Sequence, residues 1–103
     1  MEKSVKLVDF TYLEGLLGGD RAVMGEVLAI FRQQAQIWAG GLDETNPEWR
    51  AVAHTVKGAA RGIGANPLGD LCHEAELGQL SELGAVRAKL AATVAEIEAY
   101  ERT

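Results

Sequence analysis

The sequence predicts an all-α fold: an antiparallel, up-down-up-down four-helix bundle with a short extra helix at the N-terminus. Three observations carry this expectation. Alanine and leucine outnumber β-branched residues, and only Pro47 and Pro67 interrupt 103 residues, which favours helix over sheet. Apolar residues recur at steps of three and four, the helical period. The periodic runs are separated by short glycine-, proline- or Asp/Asn-containing breaks, and short connections force neighbouring helices antiparallel. A chain that is 48% apolar and 24% charged can bury a core without staples, so residues 1–103 are expected to form one domain rather than a disordered segment.

Each element has its own signal. Residues 1–8 read as a short tail leading to Asp9, an N-cap for a helix from Phe10 to Leu17 with Phe10, Leu13, Leu16 and Leu17 turned inward. Gly18 and Gly19 stop it, and Asp20 caps the next. The second helix runs from Arg21 to beyond Trp38. Its residues Met24, Leu28, Phe31, Ala35, Trp38 and Leu42 alternate steps of four and three, a bundle seam. Val23, Val27 and Ile30 widen that stripe, so the helix should touch two neighbours; Gly40 and Gly41 weaken its last turn. Asn46-Pro47 reads as a cap followed by a proline at the first helical position, opening a third helix to about Gly62. Asn66-Pro67 repeats the signal after Gly64, and this fourth helix should bury Leu68, Leu71, Cys72 and Ala75. Beyond Gly78, Ser81 is positioned to cap a last helix defined by Leu83, Val86, Leu90, Val94 and Ile97 and ending near Tyr100.

Several function classes drop out. A net charge of −5 argues against nucleic-acid binding, which needs a basic footprint. No apolar run approaches a membrane span, and the N-terminus has no charged-then-apolar leader pattern, so no membrane partner and a cytoplasmic location are expected. The single cysteine, Cys72, excludes an internal disulfide. It falls on the apolar stripe of its helix, and with His73 and His54 it makes no ligand set at zinc-like spacing. Neither a phosphate-binding loop nor a nucleotide fingerprint is present, so no ATP-dependent kinase activity and no resident cofactor or metal are expected.

The most informative stretch is Ala53–Gly64, AHTVKGAARGIG. At about 100° per residue, Arg50, Lys57, Gly58 and Arg61 fall within about 60° of His54 on the same side. Trp49, Val52, Val56, Ala60 and Ile63 cluster on the opposite side. The core takes that stripe, and His54 is left facing solvent among cations. Imidazole is ordinarily mostly neutral, hence nucleophilic, near pH 7, and adjacent positive charge favours that form. Lys57 and Arg61 are placed to pair with phosphoryl oxygens carried on the ring. As exposed charges they should add only ~0–1 kcal/mol to stability. Gly58 costs its helix roughly 1 kcal/mol relative to alanine, and its place one turn after His54 suits clearance for another protein's loop.

Residues His54, Lys57, Gly58, Gly64, Leu68, Cys72 and Glu76, in this order and spacing, resemble the histidine-containing phosphotransfer (HPt) domain of multistep two-component phosphorelays. Val56 stands where relatives carry another aliphatic residue. The resemblance covers Ala53 to Glu76 closely and the rest by helix layout. It implies a four-helix bundle with His54 exposed mid-helix, taking a phosphoryl group on Nε2 from one receiver-domain aspartate and passing it to another. It also implies that Lys57 lies beside the phosphoryl group, that Gly58 gives clearance, and that Glu76 helps to hold the imidazole. The implied partners are receiver domains of a hybrid histidine kinase and of response regulators, which bring the Mg²⁺. Ala59 departs from the serine or threonine of many relatives and removes a possible hydrogen bond near the ring. A free-standing, monomeric carrier is expected, in preference to the phosphorylated domain of a chemotaxis-type kinase, since no ATPase segment follows Thr103. Exposed apolar side chains near His54, from the N-terminal helix, are expected to form the docking patch. The competing class is a helical docking or inhibitory module that binds signalling partners without carrying phosphate. Retention of His54, Lys57 and Gly58 argues against it.

Overall fold

The computed structural model describes residues 6–78 and 82–102. Among these there are five helices and no strand: α1 (Phe10–Leu16), α2 (Arg21–Gly41), α3 (Trp49–Gly62), α4 (Asn66–Leu77) and α5 (Leu83–Glu101). Helix α3 packs along α4, α4 against α5, α2 against both α3 and α5, and α1 against α2.

The aspartate caps form as their chemistry demands. The Asp9 side chain accepts from the Tyr12 N–H, and Asp20 accepts from Ala22 and Val23, satisfying donors that the first helical turn leaves without partners. Gly18 and Gly19 turn the chain at φ 67° and 76°, a region open to glycine and costly for other residues. The seam of α2 is buried from Met24 to Leu42. It meets Val56 and Ala60 of α3, Leu68 and Cys72 of α4, and Leu83, Val86, Leu90 and Ile97 of α5 in one core.

The structure changes several expectations. Leu16 is 58% exposed rather than inward, because α1 is only seven residues long and its buried line is spent on Leu13. Val23 and Ile30 do not widen a buried stripe; they face solvent together with Ile37, and Val27 is half-buried. Helix α2 nevertheless touches three helices, not two. Residues 7–8 are no loose tail: Val8 is buried, and the Glu96 carboxylate accepts from the Leu7 and Val8 N–H groups at 2.8–3.1 Å.

Both Asn-Pro starts are displaced. Asn46 forms a turn rather than a cap: its side chain accepts from the Glu48 N–H at 3.0 Å and donates to the Gly41 carbonyl at 2.8 Å. That ties the turn to the end of α2, and α3 begins only at Trp49. Helix α4 starts one residue early, with Asn66 already inside it and Pro67 in its first turn, where a missing N–H costs no bond. Within α4, Leu68, Cys72 and Ala75 are buried, whereas Leu71 is only half-buried. Val94 of α5 is also half-buried; Thr93 takes the core position beside it. The Ser81 cap lies outside the described residues.

Two glycines let elements approach closely. A Cβ on Gly41 would lie 2.9 Å from a Val52 methyl, so α2 and α3 meet there backbone to side chain. Gly64 (φ 83°) would put a Cβ 3.0 Å from the Asp9 carbonyl oxygen. Its own carbonyl accepts from the Asp9 N–H at 2.9 Å, pinning the start of α1 against the α3–α4 turn.

Candidate functional site

Helix α3 sorts its side chains as its amphipathic pattern requires. Trp49, Ala53, Val56, Ala60 and Ile63 are buried, Val52 is half-buried, and the imidazole of His54 is 69% exposed. Helix α4 brings Glu76 to the ring. Its Oε2 lies 2.8 Å from His54 Nδ1, and its Oε1 lies 2.6 Å from Lys57 Nζ. One carboxylate thus bridges a histidine and a lysine one turn apart.

The chemistry of the bridge follows from its donors. An ionised carboxylate only accepts hydrogen bonds, so Nδ1 carries a proton in this contact, and in the neutral ring the Nε2 lone pair is then free. The Lys57 ammonium and the imidazole both hold the Glu76 carboxyl below the usual carboxylate range, Lys57 most strongly, against an opposing effect of burial. What the arrangement presents is an exposed, oriented nucleophilic nitrogen backed by a carboxylate, with an ammonium beside it.

The cations are less free than the sequence pattern implies. The Lys57 side chain is only 16% exposed, because α4 covers it, and its Nζ also donates to His73 Nδ1 at 3.4 Å. Arg61 reaches across to Asp70 of α4, at 3.4 Å, and its stem lies over Gly69. Arg50 turns to the end of α4, donating to the carbonyls of Glu76 and Gly78. The surroundings of His54 are therefore mixed, with a carboxylate in direct contact, rather than purely positive. His54, Lys57 and Glu76 come together; Arg61 is directed away.

The family model for the Hpt domain matches residues 22–100. The chain belongs to the Hpt family. A crystal structure of histidine phosphotransferase ShpA from Caulobacter crescentus is similar to this Hpt chain, with a TM-score of 0.85 and 52% identity over 94% of this chain and 92% of that one. Among curated proteins there is no match. Membership of the Hpt family assigns a phosphotransfer role in two-component signalling.

Gly58, one turn after His54, has open space around it. A Cβ on Gly58 would meet nothing within 4 Å, and its φ is not positive, so neither packing nor backbone geometry within the chain requires a glycine there. Beside it, Ala59 and Gly62 line an apolar groove between α2 and α3 with Val27, Ile30, Gln34 and Trp38. Cys72 is buried, and burial pushes its thiol up to about 11. Among the described residues no group of three or more His, Cys, Asp or Glu side chains is arranged to hold a metal ion.

Sequence reasoning missed the His73 contact with Lys57 and the reach of Arg50 to α4. His73 stands three residues before Glu76 on one helix face, a signal legible in the sequence. The Arg50 contact depends on how α4 lies against α3, which no local pattern encodes.

Proposed function

We propose that this Hpt protein is a phosphoryl carrier, in which His54 Nε2 takes a phosphoryl group from one receiver-domain aspartate and delivers it to another. The observation that carries this reading is the contact between Glu76 and His54 Nδ1, which leaves Nε2 as the free nitrogen on an exposed ring. In the transfer, the Nε2 lone pair forms the N–P bond as the acyl-phosphate O–P bond breaks, and the aspartyl oxygen leaves with the electron pair as carboxylate. The Nδ1 proton stays on the ring against Glu76, which offsets the positive charge that develops there. The reverse sequence loads the next receiver.

The remaining residues take supporting roles. Lys57, anchored by Glu76, keeps a positive charge beside the incoming phosphoryl group. Gly58 leaves room for the receiver's loop. Arg61 is the outer cation and acts on the phosphoryl group only by leaving Asp70. The receiver docks on exposed apolar side chains: Tyr12 and Leu16 of α1, and Val23, Ile30 and Ile37 of α2. Mg²⁺ comes with the receiver, and the carrier needs no cofactor, metal or ATP site of its own.

This reading goes with an antiparallel four-helix bundle of α2–α5, with α1 added. It also takes residues 1–103 as one monomeric unit working in the cytoplasm; no described helix is long and apolar enough to cross a membrane. Incubation with a panel of radiolabelled phospho-receivers tests it. The expected result is acid-labile, base-stable label on this chain that a second receiver then removes. Receivers that bind without transferring label would make the protein a docking module instead.

A further inference from the structure

Arg50 lies one turn before His54 on α3, yet its guanidinium does not face the solvent above the imidazole. Nε donates to the Glu76 carbonyl at 2.9 Å and Nη2 to the Gly78 carbonyl at 2.8 Å. The guanidinium carbon sits 4.5 Å over the Trp49 ring, which holds the fork from behind. Both carbonyls belong to the end of α4, where backbone acceptors have no intrahelical partners and a cation is favoured by the helix dipole. Gly78 is the C-cap of α4, and Arg50 supplies donors to these carbonyls from the neighbouring helix.

The residue whose carbonyl Arg50 holds is the residue whose carboxylate holds the imidazole. A glutamate side chain places its carboxylate reliably only when its backbone is fixed, and terminal helical turns fray. Among the described residues, the other polar ties between α3 and the C-terminal part of α4 are side-chain contacts, the two through the Glu76 carboxylate itself and the longer one from Lys57 to His73, so none of them holds the Glu76 backbone. We propose that Arg50 is a positioning residue of the phosphoryl-accepting site, clamping the Glu76 backbone to α3 so that its carboxylate keeps the proton on His54 Nδ1 and leaves Nε2 free. Its consequence for transfer rests on the carrier reading; its consequence for the imidazole tautomer does not.

The test reads the two ring nitrogens of His54 by ¹⁵N NMR at a pH where the imidazole is neutral. Wild type is expected to show a protonated Nδ1 and a bare Nε2. Arg50→Ala should shift the ring toward the Nε2–H tautomer that unconstrained histidine favours. Arg50→Lys, with one ammonium for two carbonyls, should fall between them. In a Glu76→Ala background, Arg50→Ala should add no further shift, because its effect passes through Glu76. Transfer from a phospho-receiver should slow on the order of tenfold in Arg50→Ala, since a misplacement of about 1 Å costs roughly a hundredfold. A wild-type tautomer signature in Arg50→Ala, or an added shift in the double variant, would overturn the proposal. If Arg50→Ala fails to fold by circular dichroism, Arg50→Lys decides alone, and an unchanged tautomer there also overturns it. A wild-type protein with the Nδ1–H tautomer that takes no label from any receiver would instead sink the carrier reading and leave the positioning role standing.

Discussion

At Gly58 stability and transfer should move in opposite directions, and the structure lets both halves be worked out. Gly58 lies inside α3 with an exposed, right-handed backbone, and a Cβ there meets nothing within 4 Å. Replacing it with alanine relieves the helix of glycine's intrinsic cost with no clash, so Gly58→Ala should stabilise by up to ~1 kcal/mol. For a chain of this size that raises the melting temperature by about 4 °C or slightly more. Gly58→Gln should keep part of the gain while projecting a long side chain beside His54, into the space a receiver loop must enter. Transfer by Gly58→Ala should fall modestly and by Gly58→Gln on the order of a hundredfold, given the sensitivity of in-line transfer to position. Gly25 supplies the control: it is interior to α2, its Cβ also meets open space, and it borders the groove by Tyr100 rather than the site. Gly25→Ala should gain stability similarly and transfer at the wild-type rate. The assay is a thermal melt and a rapid-quench transfer measurement on the same samples. A Gly58→Gln protein that melts lower yet transfers at full rate would refute the clearance argument.

Three further outcomes are expected. Lys57→Ala should cost about 1–2 kcal/mol in denaturant unfolding, between an exposed and a buried pair, because Lys57 is mostly covered and 2.6 Å from Glu76; it should also slow transfer more than Arg61→Ala does. The Glu76 carboxyl is held low by Lys57 and His54, so its stabilising effect is full above the ordinary carboxylate pKa and is lost as pH falls through the lower native value. The melting-temperature gap between wild type and Glu76→Gln should therefore be widest near pH 7 and shrink in acid; a constant gap would contradict the bridge. Cys72, buried with its thiol raised to about 11, should resist alkylation in the native protein at pH 8 and react on unfolding; rapid native labelling would contradict its place in the core.

Much of the fold was legible because it is local. The Asp9 and Asp20 caps, the three-four seam of α2 and the sorting of α3 into buried and exposed faces each depend on residues within a few turns. Contacts between elements were not legible. Asn46 reads as a cap in isolation, but its amide is taken by the Gly41 carbonyl. Lys57 reads as an exposed cation until α4 covers it. Val23 and Ile30 carry the same periodic signal as core residues, yet among the described residues they stay exposed. At the site, His54, Lys57 and Glu76 were named from the motif, whereas the division of the Glu76 carboxylate between two partners needed the packing of α3 on α4.

The central claim is that His54, through Nε2, carries the phosphoryl group, and site-resolved labelling tests it most directly. Wild type, His54→Gln and His73→Gln would be incubated with the same phosphorylated receiver, with melting followed in parallel. Label is expected on wild type and His73→Gln and not on His54→Gln, whose melting should be nearly unchanged because the ring is a surface group. ³¹P–¹⁵N coupling should place the phosphorus on Nε2. Label that persists in a folded His54→Gln, vanishes in His73→Gln alone, or sits on Nδ1 would contradict the account.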